Sequence, residues 1–156
     1  MTALFETVGI SGTHGKTTTS LLLSNILSNT LGCNYFVGDG SGYADPKNKL
    51  FVIESDEYNK HFLAYHPKIA VITNIELDHT ECYDGLEDII NTFEKFGNKA
   101  ELIVACGDDE NIRKINFEKQ TIYYGFEDKN NVVARNVVLD VNGSKFDDYF
   151  DGEFFE

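Results

Sequence analysis

The chain is 156 residues long, with 42% hydrophobic and 13% aromatic residues, enough for one core-bearing domain. Two prolines and 13 glycines exclude collagen-like and Pro-rich low-complexity chains. A formal net charge of −13 disfavours a surface built for nucleic acid or anionic lipid, yet leaves room for one small phosphate site.

No run of about 18 apolar residues is present, so no membrane span is expected. The start, Met1-Thr-Ala-Leu-Phe-Glu6, lacks the basic and apolar regions of a secretory signal. Cys33, Cys82 and Cys106 are odd in number, widely spaced and without a CxxC pair. Reduced thiols in a cytoplasmic protein fit this better than a disulfide framework or a zinc site.

Phe5–Ser11 is short, apolar and β-branched and runs into a glycine turn, which predicts a buried strand. Thr17–Asn29 carries Leu21, Leu22, Leu23, Ile26 and Leu27, which predicts a largely covered helix closed by Gly32. Tyr35–Val37 reads as a second strand and Gly38–Tyr43 as a loop. Leu50–Ile53 and Ile69–Thr73 read as strands ending at Glu54 and Asn74. Between them Asn59–Tyr65 fits a short helix stopped by Pro67. Leu86–Gly97 is amphipathic, with Leu86, Ile89, Ile90, Phe93 and Phe96 on one stripe. Leu102–Ala105 follows as a strand and Asp108–Ile115 as a short helix capped by aspartate.

From Thr121 the helix pattern stops. Ile122–Tyr124, Val132–Leu139 and Lys145–Phe150 read as strands, and Asn142-Gly143 is a hairpin signal. The expected fold class is therefore α/β: a mostly parallel sheet with flanking helices and a phosphate loop, plus an antiparallel β subregion at the C-terminal end. No internal repeat or flexible linker stands out.

The most informative stretch is Gly12-Thr-His-Gly-Lys-Thr-Thr18, between a predicted strand and a predicted helix. Glycines let backbone N–H groups wrap a phosphate, and a helix N-terminus adds partial positive charge. In this pattern Lys16 reaches terminal phosphates and the Thr17 hydroxyl ligates Mg²⁺. Position 10 is Ile rather than Gly, so the loop is a shortened G-x-x-G-K-T variant. A phosphate loop also needs an acid at a neighbouring strand tip. Glu54 has that position, although its cluster with Asp56 and Glu57 also fits a solvated turn. His79 closes a second strand-end group, Thr73-Asn-Ile-Glu-Leu-Asp-His79, where ligands bind in open α/β sheets. His14 lies inside the loop, while His61 and His66 flank aromatics and read as packing or solvent-facing residues. Cys82 near His79 has nothing beside it to support thiol chemistry.

These segments resemble the central, ATP-binding domain of the Mur ligases. The resemblance rests on Ser11-Gly-Thr-His-Gly-Lys-Thr-Thr-Thr19, on Glu54-Ser-Asp-Glu-Tyr58 followed by Phe62-Leu63, and on Thr73–His79. Ile122–Phe126 and Phe146–Phe155 extend it over nearly the whole chain. Histidine inside the loop points to the alanine-adding member.

The resemblance implies that Gly12, Thr13, His14, Gly15, Lys16, Thr17, Thr18 and Asn74 surround ATP. It implies that Thr17 and Glu54 ligate one Mg²⁺ and that His79 helps to hold a second. Lys16 and His79 are the implied catalytic residues. The implied reaction transfers the γ-phosphoryl of ATP to the carboxylate of UDP-N-acetylmuramate, and L-alanine then attacks the acyl phosphate. On this reading residues 1–156 are one partial central domain, without the N-terminal UDP-binding and C-terminal domains, and are inactive alone. The other readings are a ligase adding a recycled tripeptide to the same sugar, a stand-alone phosphotransferase or ATPase, and a non-catalytic binding module.

Overall fold

The computed structural model describes residues 5–141 and 143–155. Among the described residues ten strands form one sheet in the order β10-β9-β8-β7-β6-β5-β1-β4-β2-β3. They are β1 (Glu6–Ser11), β2 (Cys33–Phe36), β3 (Gly42–Tyr43), β4 (Leu50–Glu54), β5 (Ile69–Ile72), β6 (Leu102–Cys106), β7 (Gln120–Gly125), β8 (Val132–Asp140), β9 (Gly143–Phe150) and β10 (Glu153–Phe155). The helices are α1 (Lys16–Ser28), α2 (Leu86–Gly97) and α3 (Glu110–Arg113), with 3-10 turns over Tyr58–Ala64. Among the described residues no helix is long and apolar enough to cross a membrane.

Alternation along the parallel strands divides the core into two faces. Ala70 and Ile72 of β5 join Phe93 and Phe96 of α2, Phe62, Ile103 and Ile112 in one cluster. Val71, between them in sequence, turns to the other face, with Val8, Ile10, Val52 and Leu27. On the α2 face the Phe62 ring stacks on Phe96 at 4.7 Å and meets Phe93 edge-on at 5.1 Å. The predicted stripe on α2 is the buried one: Ile89, Phe93 and Phe96 are all covered.

The expectation of a largely covered α1 is overturned. Leu22 is 62% and Ile26 53% exposed, while Ser20 and Ser24 are buried. The face against the sheet is Ser20, Leu23, Ser24 and Leu27, a helical spacing in which small serines bring the helix close to the strands. α1 ends at Ser28, and its C-cap is Asn29 rather than Gly32; Gly32 lies beyond it at φ 78° and donates to Leu27 O at 2.9 Å.

Other boundaries move for local reasons. The expected loop over Gly38–Tyr43 ends in the short strand β3, antiparallel to β2. The expected helix over Asn59–Tyr65 is instead 3-10 turns interrupted by Asn59 (φ 50°) and Lys60 (φ 60°), both left-handed. Only Glu110–Arg113 of the expected Asp108–Ile115 helix is helical, and its cap is Asp109, which accepts from Asn111 N and Ile112 N. The tail is not antiparallel from Thr121: β7 pairs in parallel with β6 and with β8, and antiparallel pairing begins at β8·β9. β10, which the sequence pattern did not reveal, adds to β9. Gly143 opens β9, and Asn142 lies outside the described residues. This tail exposes Val138, Leu139, Phe154 and Phe155.

Register makes three strand ends level. Glu54 of β4 pairs with Ile10, and Ile72 of β5 pairs with Ser11. The chain leaves β1 for β2 on one side and, after β4, crosses to β5 on the other. The carboxyl end of β1 is therefore a topological switch point. If the core is divided as described, Phe93→Ala should cost about 3–5 kcal/mol in denaturant unfolding. Leu22→Ala should stay within about 0.5 kcal/mol. Equal costs at the two positions would contradict the division.

Candidate functional site

The loop between β1 and α1 is braced by the segment after β5. Thr13 N donates to Asn74 O at 3.1 Å and His14 N to Asn74 Oδ1 at 2.8 Å. In return Asn74 Nδ2 donates to His14 O at 2.9 Å, as does Thr73 Oγ1 at 2.7 Å. Glu76 N donates to Thr13 Oγ1 at 2.9 Å. Asn74 is thus a brace, and the Thr13 and His14 amides are committed to it. The segment is fixed in turn by α3: Asp109 Oδ2 accepts from Ile75 N at 3.0 Å, and Asn111 Nδ2 donates to Ile75 O at 2.7 Å. No sequence pattern marked Asp109 or Asn111 for this task.

Gly12 makes the brace possible. Its φ is 143°, and a Cβ there would lie 2.0 Å from Thr73 Oγ1. Gly15, at φ 83°, turns the chain into α1. The first helical bond runs from Thr19 N to Gly15 O at 3.0 Å. The amides of Gly15, Lys16, Thr17 and Thr18 thus have no partner within the helix. Among the described residues no side chain caps α1, and no acid lies in its first turn, so this end suits an anion.

Lys16 points back into the loop. Its Nζ donates to Gly12 O at 2.7 Å, Thr13 O at 3.3 Å and Glu57 Oε1 at 2.9 Å. Glu57 is buried, and burial pushes its carboxyl up from the ordinary value while the Lys16 hydrogen bond pulls against that shift. Tyr83 OH donates to Glu57 O at 2.5 Å, fixing the backbone beneath the carboxylate. Glu57 had stood out only as part of an acidic run. Its place beside Lys16 depends on how the chain turns after β4.

Glu54 lies on the α1 face of β4, two residues beyond Val52. Thr17 Oγ1 donates to its Oε1 at 3.1 Å, and Gly38 N to its Oε2 at 2.9 Å. The solvated-turn alternative therefore does not describe Glu54. Two oxygen donors from adjacent elements suit a hard divalent cation that keeps waters and phosphate oxygens as its other ligands. Lys16, Thr17 and Glu54 line one cavity of about 540 Å³ with Phe36, Asp39, Asp56, His61 and Tyr65. His61 lines this cavity and meets the Tyr58 ring edge-on at 6.3 Å.

His79 neighbours Glu57. Its Nε2 lies 3.8 Å from Glu57 Oε1, and its ring meets Tyr58 edge-on at 5.1 Å. His79 has φ 51°, left-handed for a residue with a side chain. Among the described residues no three His, Cys, Asp or Glu side chains form a ready metal cluster. His14 is exposed, 3.7 Å from exposed Glu76, and Thr18 is exposed on the first turn of α1. Gly12→Ala should cost about 1–3 kcal/mol, because Thr73 must move and the loop strains. Gly15→Ala, with open space around it, should cost less. Thermal melting of both variants compares them; a larger loss at Gly15 would contradict the brace.

Comparison with known proteins bears on the family and fold of the chain. The profile of the Mur ligase middle domain matches residues 10–156. The chain is similar to the UDP-N-acetylmuramate–L-alanine ligase of Lacticaseibacillus paracasei, 44% identical over an alignment that covers 97% of this chain and 36% of that protein. It is also similar in fold to the UDP-N-acetylmuramate–alanine ligase MurC of Thermotoga maritima, at TM-score 0.82 and 23% identity, covering 97% of this chain and 36% of that one. A MurF ligase from Thermotoga maritima, solved in complex with ADP, superposes at TM-score 0.78 and 21% identity, covering 97% of this chain and 39% of that one. The chain spans about a third of the length of the curated relatives it matches. It belongs to the Mur ligase family, and the part of the family it matches is the middle domain.

Proposed function

We propose that residues 1–156 form a partial central domain, the ATP- and Mg²⁺-binding corner of a ligase of peptidoglycan precursor synthesis. The enzyme joins L-alanine to UDP-N-acetylmuramate. The observation that carries this reading is the convergence of Lys16, Thr17 and Glu54 on one cavity at the carboxyl end of β1 and β4. The alanine-adding choice is supported by relatives of that name at 40% and 44% identity.

The proposed reaction has two steps. A muramoyl carboxylate oxygen attacks the γ-phosphorus of ATP, and the bond to the β-γ bridging oxygen breaks, releasing ADP. The amine of L-alanine then attacks the acyl carbon and loses a proton, and inorganic phosphate leaves. Phosphoryl transfer of this kind depends mainly on positioning and on spreading negative charge.

Each residue has a physical task in this scheme. The amides of Gly15 to Thr18 face the phosphates at the helix end. Lys16 places its ammonium on the β- and γ-phosphate oxygens. Gly12, Thr13, His14 and Asn74 keep the loop in shape. Thr17 and Glu54 would hold one Mg²⁺, and His79 would help to hold a second. The ion supplies charge neutralisation between phosphate and substrate carboxylate. The sugar nucleotide and the amino acid take their remaining contacts from the part of the relatives this chain does not span. Little or no ligation by this chain alone is the corollary. Three free thiols and no membrane-crossing helix among the described residues fit work in the cytoplasm.

Calorimetric titration of Mg-ATP tests the reading. Lys16→Ala should weaken binding about thirtyfold or more. That substitution strands the Glu57 charge, so Lys16→Ala with Glu57→Gln serves as a second variant with no buried unpaired carboxylate. Binding unchanged in both would overturn the assignment of Lys16.

A further inference from the structure

The ammonium of Lys16 has three protons, and three acceptors take them: Gly12 O, Thr13 O and Glu57 Oε1. Lys16 cannot add a phosphate oxygen without weakening one of these contacts. The two carbonyls are neutral and belong to the loop itself. Glu57 is the charged competitor. Its side chain is 3% exposed and that of Lys16 14%, so their attraction is poorly screened by water.

The other oxygen of Glu57 has a different standing. Oε2 is buried without a hydrogen-bond partner among the described residues. An orphaned carboxylate oxygen in such a place is costly, and a cation relieves the cost. Besides Lys16 Nζ, His79 Nε2 lies 3.8 Å from Oε1. A polyphosphate drawn in by Lys16 comes to lie one ammonium away from this carboxylate. Two anions at that distance in a low-dielectric site repel strongly.

We propose that Glu57 is a charge latch: it holds Lys16 in the empty loop and releases it to phosphate when a divalent cation takes over its carboxylate. Glu57 is thus a positioning residue that acts through Lys16. The latch makes phosphate binding depend on the metal, so that polyphosphate without its cation is rejected. The inference rests on reading Gly12–Thr18 as a phosphate site.

Inorganic pyrophosphate, with and without Mg²⁺, is the probe. Affinity is measured by calorimetry for the unmodified chain, Glu57→Gln, Glu57→Ala and Glu57→Gln with Lys16→Ala, and melting verifies that each is folded. Glu57→Gln should bind metal-free pyrophosphate about tenfold tighter than the unmodified chain. Its gain from Mg²⁺ should shrink, and the double variant should lose the advantage. Glu57→Ala should change in the same direction where the glutamine amide re-forms a bond to Lys16. Metal-free binding no tighter in either folded single variant overturns the latch. Mg-ADP binding to the unmodified chain reports separately on the phosphate-site reading. If it occurs without the gain in Glu57→Gln, the latch alone fails; if nothing binds to any variant, both fail.

Discussion

A largely covered ammonium needs acceptors and a counter-charge, and the site is arranged around that requirement at Lys16. Its proton donors tie the β1–α1 loop, through Gly12 O and Thr13 O, to Glu57 beyond the end of β4. Glu57 is held from below by Tyr83, which belongs to the same apolar cluster as Phe62 and Phe93. The ion pair therefore joins the β1–α1 loop to the core on the α2 face. Asn74 and Thr73 join the same loop to β5. Three level strand ends thus become one polar platform over two apolar layers.

The two faces of the sheet divide the labour. The α2 face is aromatic and densely packed, and it fixes the segment that carries Glu57. The α1 face is thinner, with Ser20 and Ser24 against the strands. Close approach of α1 brings Thr17 within hydrogen-bond distance of Glu54. The leucines on the outer side of α1 do not serve this contact.

Local pattern made much of the fold legible. The short apolar runs at β1, β4, β5 and β6 and the stripe on α2 depend on period alone. The turn of Gly12–Thr18 between β1 and α1 was legible because its glycines interrupt an apolar run ahead of a helical pattern. What local pattern did not carry was set by distance in the chain. The serine face of α1 was hidden because leucine outweighs serine in any hydrophobic count. The parallel pairing of β7 depends on β6 and β8 rather than on its own residues. The partnership of Lys16 with Glu57 spans 41 positions, and the brace from Asp109 to Ile75 spans 34. Asn74 lies beside the loop, and its side-chain amide is spent on bracing His14.

The most direct measurement is a crystal structure of this chain with Mg²⁺ and a non-hydrolysable ATP analogue. The account predicts Lys16 Nζ on a terminal phosphate oxygen, its contact with Glu57 broken, and Thr17 and Glu54 on the metal. An analogue bound with Lys16 still paired to Glu57, or phosphates seated away from the Gly15–Thr18 amides, would contradict it.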